Sequence, residues 1–188
     1  MAPTRRVILI RHSVPDIKRD VPAADWHLSA EGTTRARALA GRLHPSGATK
    51  VFTSAEPKAV ETARALADEW GLAIEAVPGL QEHERPLAQL LSRDEFEQKI
   101  RELFTRPSDL VFGAETADQA RRRFTMALMR LVTRVTGDLV VVTHGTVMAL
   151  FVAEATGVEP FGFWKRQEMP FAVTLTLPAL ALEGMTFL

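Results

Sequence analysis

The chain of 188 residues contains no cysteine. That removes disulfide frameworks, thiolate nucleophiles and zinc–sulfur sites together, and it fits a reducing compartment such as the cytoplasm. Charge of a prevailing sign is also missing: 23 Lys and Arg balance 23 Asp and Glu, for a formal net charge of zero. Such a chain carries no global field for nucleic acid or for an anionic membrane surface. Long apolar runs are missing too. The opening MAPTRRVILIRH holds a single short apolar run, Val7–Ile10, too brief for a signal-peptide core. Leu139–Ala153 is interrupted by Thr143-His144-Gly145, and Met169–Leu182 by Pro170 and Pro178. Both fall short of the ~18 apolar residues a spanning helix needs. No internal repeat or low-complexity linker is visible. The expectation is a soluble, cytoplasmic protein with neither a nucleic-acid nor a membrane partner; oligomeric state is not legible.

What is present is a globular mix, 46% apolar and 24% charged. The length suits one domain over 1–188 with a substantial core. Val7–Ile10 is an unbroken β-branched and leucine run, the pattern of a strand buried on both faces. Ser29 caps a predicted helix with Ala36, Leu39, Ala40 and Leu43 on one face. Lys50–Thr53 reads as a short strand. Ser54 and Pro57 open a second helix, striped by Ala59, Ala63, Leu66, Ala67 and Trp70 and followed by Gly71. Leu72–Val77 reads as a third strand. Capping boxes at Ser92/Glu95 and Thr116/Gln119 start two more helices, the second ended by Gly137. Leu139–Val142 is a second continuous apolar strand, and Thr146–Ala155 is helical up to Gly157. Phe171–Leu177 and Met185–Leu188 read as edge strands. This alternation implies an α/β fold, a three-layer αβα sandwich around a largely parallel sheet.

The two buried strands end alike. VILI runs into Arg11-His12-Ser13, and LVVV into Thr143-His144-Gly145. In open α/β sheets the carboxyl ends of the strands are where ligands bind. Neighbouring strands lie ~4.8 Å apart, so adjacency would set His12 and His144 over one pocket. A neutral imidazole can be a nucleophile, a base or a metal ligand. Arg11 beside His12 disfavours a divalent metal and suits an oxyanion, phosphate above all. Two structural histidines at strand ends would give the same pattern without chemistry.

The ordered set Arg11-His12, Leu28-Ser29-x-x-Gly32, Thr53-Ser54 with Lys58-Ala59 and Thr62-Ala63, Leu80-x-Glu82, and His144-Gly145 resembles the histidine phosphatase superfamily, over residues 5 to 157. The resemblance implies a phosphoglycerate-mutase-like fold. It also implies that His12 is a nucleophile forming a phosphohistidine and that Arg11, Lys58 and His144 bind the phosphoryl oxygens. Glu82 would protonate the leaving oxygen. No cofactor or metal is implied, and the partner is a small phosphorylated substrate. The chain departs from the family's pattern at three places. Ser13 stands where glycine is usual, and either strains the turn or offers a hydroxyl to phosphate. Lys58 replaces an arginine and so loses the bidentate fork, while Arg64 reads as a solvated helix charge. His83-Glu84-Arg85-Pro86 comes after Glu82, which makes Glu84 a rival acid.

Elsewhere, Trp26-His27 either lines the pocket mouth or packs as a staple against the first helix. Arg121-Arg122-Arg123 points three ways around a helix, as a solvated helix start does. Trp164-Lys165-Arg166 sits near the site or begins an edge strand. Residues 78–115 are the segment available as a lid. The mutases that the chain resembles are longer, with extra segments over the pocket, which favours a phosphatase with water as acceptor. A phosphoglycerate-type mutase, a non-catalytic phosphate-binding relative and a metallohydrolase using His12, His144 and a carboxylate are the alternatives.

Overall fold

The computed structural model describes residues 4–86 and 90–188. Residues 87–89, within the predicted lid segment, lie outside the described residues. The strands are β1 (Arg6–Arg11), β2 (Lys50–Thr53), β3 (Ala73–Ala76), β4 (Leu139–Thr143), β5 (Phe171–Thr176) and β6 (Ala181–Thr186). The helices are α1 (Ala30–Ala40), α2 (Pro57–Trp70), α3 (Arg93–Thr105), α4 (Ala117–Arg134), α5 (Gly145–Thr156) and α6 (Pro160–Arg166). The sheet order is β3-β2-β4-β1-β5-β6. The first four strands are mutually parallel, while β5 runs antiparallel to β1 and to β6.

The side-chain alternation of β1 explains the layers. Ile8 and Ile10 face a cluster with Leu39 and Leu43 and with Ala59, Ala63 and Leu66 of α2. Val7 and Leu9 face the other cluster, which holds Phe124, Leu128 and Leu131 of α4 together with Met148 and Phe151 of α5. Helices therefore cover both faces, as a parallel sheet with strands buried on both sides requires. The β1–β4 register pairs Ile10 with Val142 and Arg11 with Thr143. His12 N–H then donates to the Thr143 carbonyl at 2.9 Å, and Ser54 N–H to the Val142 carbonyl at 3.1 Å. The carboxyl ends of β1, β2 and β4 thus meet at one edge.

Several expectations are corrected. β5 is not an edge strand; it lies between β1 and β6, and its Phe171, Ala172, Val173 and Leu175 are fully buried. The edge strand on that side is β6, which begins at Ala181 rather than Met185. Trp164-Lys165-Arg166 closes α6 instead of opening a strand, because Glu159 and Pro160 start a helix there, with the Glu159 carboxylate accepting from Phe161 and Gly162 N–H. α4 ends at Arg134 with Val135 extended, ahead of Gly137. Glu56, not Ser54, is the residue before α2, and it makes no side-chain cap.

Candidate active site

The loop after β1 is held from below by α1. Ser29 Oγ accepts from Gly32 N–H at 2.9 Å and donates to the Val14 carbonyl at 3.0 Å. A Cβ on Gly32 would stand 2.1 Å from that same carbonyl oxygen, so only glycine lets α1 approach so closely. Thr62 of α2 accepts from Ser13 N–H at 3.0 Å. The motif residues Ser29, Gly32 and Thr62 therefore hold the two residues that follow His12, Ser13 and Val14.

His12 is buried, and its Nδ1 lies 2.8 Å from the Ser13 carbonyl oxygen. A carbonyl only accepts, so we assign the ring hydrogen to Nδ1, which leaves Nε2 with its lone pair. Burial holds the His12 pKa well below its ordinary value, and the neighbouring His144, Lys58 and Arg11 add to this. Neutral His12 is the form a nucleophile needs. Ser13 adopts no left-handed backbone, since Leu180 is the one non-glycine residue with positive φ among those described. Its hydroxyl is fully buried and does not line the cavity. Ser13 therefore neither strains the turn nor faces the pocket; its carbonyl orients the histidine.

The His12 and His144 rings lie 5.2 Å apart at 60°. His144 Nε2 is 2.8 Å from Ser54 Oγ and 3.3 Å from Glu56 Oε1. Burial also holds His144 well below its usual pKa; Lys58, Arg85 and Arg11 push the same way, and Glu82 opposes them. Arg11 donates through one terminal nitrogen to the Gln167 carbonyl at 2.5 Å, while its Nε is buried without a partner. Burial brings its pKa down to about 10, with Glu82 opposing and Arg85 assisting.

Lys58 is buried in the cavity wall. Its Nζ donates to the Ala23 carbonyl and to Glu56 Oε2, both at 2.5 Å. Arg64 is exposed and outside the cavity lining. Glu56 is a site residue that sequence reasoning passed over: its second oxygen accepts from Glu82 N–H at 2.8 Å while facing His144. The one signal in the sequence is a glutamate immediately before Pro57, where a side chain that caps would be expected.

Glu82 lies against the N-terminus of α5. Its carboxylate accepts from the N–H groups of His83, Thr146 and Val147 at 2.8, 3.1 and 3.2 Å and from Arg85 at 3.0 Å. Burial by itself would raise its pKa. Arg85, His144 and the backbone donors outweigh that and hold the carboxyl far below the usual range. Arg85, which also bonds Thr146 Oγ1 at 3.0 Å, is a further cavity cation that sequence reasoning did not single out. Glu84 is exposed on the cavity rim. Its carbonyl accepts from Ala114 N–H at 2.7 Å, beside Gly113, where φ is +86° and a Cβ would stand 2.1 Å from that carbonyl oxygen.

The arginine run is corrected as well. Arg123 is not a solvated helix charge: it donates to the carbonyls of Gly79, Gln81 and Glu82 at 3.0, 2.9 and 3.1 Å and to both carboxylate oxygens of Glu115. The guanidinium fork is thereby divided between the segment that carries Glu82 and the Glu115 carboxylate. Its neighbours at i−3 and i+4, Ala120 and Ala127, are buried, which was the available signal.

Arg11, His12, Lys58, Glu56, Glu82 and His144 all line one cavity of about 660 Å³, and Arg85 and Trp26 line it too. His27 instead pairs with Glu61 at 2.5 Å on the surface. Among the described residues no group of three His, Asp or Glu side chains is placed to hold a metal ion, and no helix is long and apolar enough to cross a membrane.

An arginine and two histidines at adjacent parallel strand ends, with carboxylates beside them, form an anion-handling pocket at the edge where α/β folds bind ligands. Residues 7–177 match the model of the histidine phosphatase superfamily (branch 1), and the chain belongs to that family. Its fold is shared with Bacillus stearothermophilus YhfR at TM-score 0.74 and 20% identity, over 95% of this chain and 94% of that one. The mycobacterial glucosyl-3-phosphoglycerate phosphatase is similar at TM-score 0.70 and 19% identity, over 93% and 91% of the two chains. A Thermus thermophilus protein is similar at TM-score 0.64 and 24% identity, over 97% and 99%. No curated protein is a significant match.

Proposed function

We propose that the chain is a metal-independent phosphomonoesterase acting through a phosphohistidine on His12, with water as the final acceptor. The observation that carries this reading is the Nδ1–Ser13 contact, which leaves Nε2 bare inside a ring of positive groups. Nε2 attacks phosphorus, the ester P–O bond breaks, and the departing oxygen takes a proton from Glu82. Water then attacks the phosphohistidine, Glu82 takes up the water's proton, and phosphate leaves. Arg11, Lys58 and His144 hold the phosphoryl oxygens, and preorganised charge of this kind supplies most of the catalysis in phosphoryl transfer. Arg11, Lys58 and Arg85 supply the positive charge a metal ion would otherwise bring, and neutral His144 adds a ring N–H donor.

Glu82 must gain a proton before it can act. In the unliganded site Arg85 is the cation that keeps it ionised. An entering phosphate dianion draws Arg85 onto itself and adds negative charge, and both changes favour the protonated carboxyl. The described residues between 78 and 115 supply much of the cavity wall, including Glu82, Arg85 and Phe96, which supports reading this segment as the lid. The test is release of inorganic phosphate from a panel of phosphomonoesters, lost in His12→Ala. Release that survives that substitution at the wild-type rate contradicts the proposal.

A further inference from the structure

The phosphoryl-binding floor occupies only part of a cavity whose volume lies in the range of pockets for drug-sized molecules, ~300–1,000 Å³. Above the floor the described lining is largely apolar: Trp26, Trp164, Phe96, Ile17, Leu91 and Met169. One wall presents Phe96 and Trp164, backed from outside the lining by Phe112 and Phe161. Phe96 lies 6.3 Å from Phe112 and 6.0 Å from Trp164, and Trp164 stacks on Phe161 at 5.8 Å. Arg85 caps this wall with its guanidinium 5.1 Å from the Phe96 centroid, where the floor begins.

Most polar groups of the upper wall are already engaged, the buried Nδ1 of His83 being an unpaired exception. The Trp26 indole N–H donates to the Lys18 and Val21 carbonyls at 2.9 and 3.1 Å, so its ring adds surface and no donor. Ser92 Oγ is closed in a capping box with Glu95. Gln81 Oε1 accepts from Gly79 N–H. Arg19, Glu84 and Arg93 are exposed, where water competes for them. A sugar or glycerate leaving group would therefore desolvate hydroxyls against a wall with few partners to offer, at roughly fivefold or more in affinity for each one left unpaired. An apolar leaving group gains instead, by about fourfold for each methylene buried.

We infer that this site selects phosphomonoesters of hydrophobic alcohols or phenols over those of sugars and glycerates. The inference rests on the floor being the phosphoryl site, as proposed above. Two measurements separate them. Calorimetric binding of propyl, butyl, hexyl and octylphosphonate reads the chamber without any turnover. Affinity should rise by about threefold to fourfold per methylene until the chamber is filled, and Trp164→Phe should shift where the rise stops. A phenyl-to-naphthyl pair of phosphonates then tells a preference for flat rings from one for chains. Hydrolysis of hexyl phosphate, glucose 6-phosphate and 3-phosphoglycerate tests the chemistry, and hexyl phosphate should have the highest kcat/KM. A flat phosphonate series, or none that binds, overturns the inference, as does a preference for the two polar esters. A rising series with no ester hydrolysed supports it and overturns the phosphatase proposal instead.

Discussion

The Nζ of Lys58 lies 2.5 Å from Oε2 of Glu56, and both side chains face the cavity that holds His12. The cation at the second phosphoryl position is therefore paired before substrate arrives, and it must exchange a carboxylate for a phosphoryl oxygen. Lys58→Met should lower kcat/KM for nitrophenyl phosphate by about 10²–10³-fold, the scale for losing one transition-state donor. Lys58→Arg should keep substantial activity. Arg64→Met, exposed and outside the cavity, should match wild type; a harmless Lys58→Met with a crippling Arg64→Met would put the active cation on the wrong face of α2.

Two half-buried carboxylates, Glu56 and Glu82, flank the histidines, and leaving-group chemistry separates their roles. An alkoxide must be protonated as the P–O bond breaks, whereas a nitrophenolate leaves unaided; general-acid help is worth roughly 10²–10⁴-fold where it is needed. Glu82→Gln should slow an alkyl phosphate far more than nitrophenyl phosphate. Glu56→Gln should slow both alike, because Glu56 positions His144 and Lys58. A selective alkyl loss in Glu56→Gln or Glu84→Gln, with an even loss in Glu82→Gln, would move the acid to that residue.

Arg123 positions the Glu82 segment without touching the cavity floor. Arg123→Lys keeps the charge and cannot span three carbonyls and a carboxylate. It should lower kcat by about tenfold on alkyl phosphates, with a smaller effect on nitrophenyl phosphate and little change in KM. A merely structural role would lower thermal stability and leave the ratio of the two substrates unchanged.

The lowered pKa values set a sign for pH dependence. Unfolded histidine takes a proton below about pH 6.5, while buried His12 and His144 resist it. The unfolded state therefore binds more protons, and stability falls as pH drops below 6.5. Glu82, held ionised in the fold, adds a second loss below about pH 4.5, its ordinary value. Urea unfolding at pH 7.5, 6.5 and 5.5 should show declining stability, with a shallower decline in His12→Asn. Equal slopes for the two proteins would mean that His12 is not held neutral.

Much of this was legible because short apolar strands announce themselves. Val7–Ile10 and Leu139–Val142 are continuous, and the residues just past the end of such a strand are displayed at the ligand-binding edge. Caps were legible for the same local reason: Ser29, Ser92 and Thr116 each satisfy an N–H three residues on. What was not legible depends on distant pairing. Glu56 reads as a surface carboxylate until Lys58, His144 and the Glu82 amide close around it. Arg123 reads as one of three solvated charges until the 79–82 carbonyls are placed beside α4. β5 reads as an edge because nothing local in Phe171–Leu177 reveals that the later β6 covers its outer side.

The central claim is that His12 Nε2 carries the phosphoryl group. Brief mixing with ³²P-labelled phenyl phosphate, denaturation at alkaline pH and peptide mapping by mass spectrometry tests it directly. The account predicts an acid-labile, base-stable phosphoryl adduct on the peptide containing His12, formed faster than phosphate is released and absent in His12→Ala. An adduct on another residue, or rapid wild-type turnover with no adduct under conditions where breakdown is rate-limiting, would contradict it.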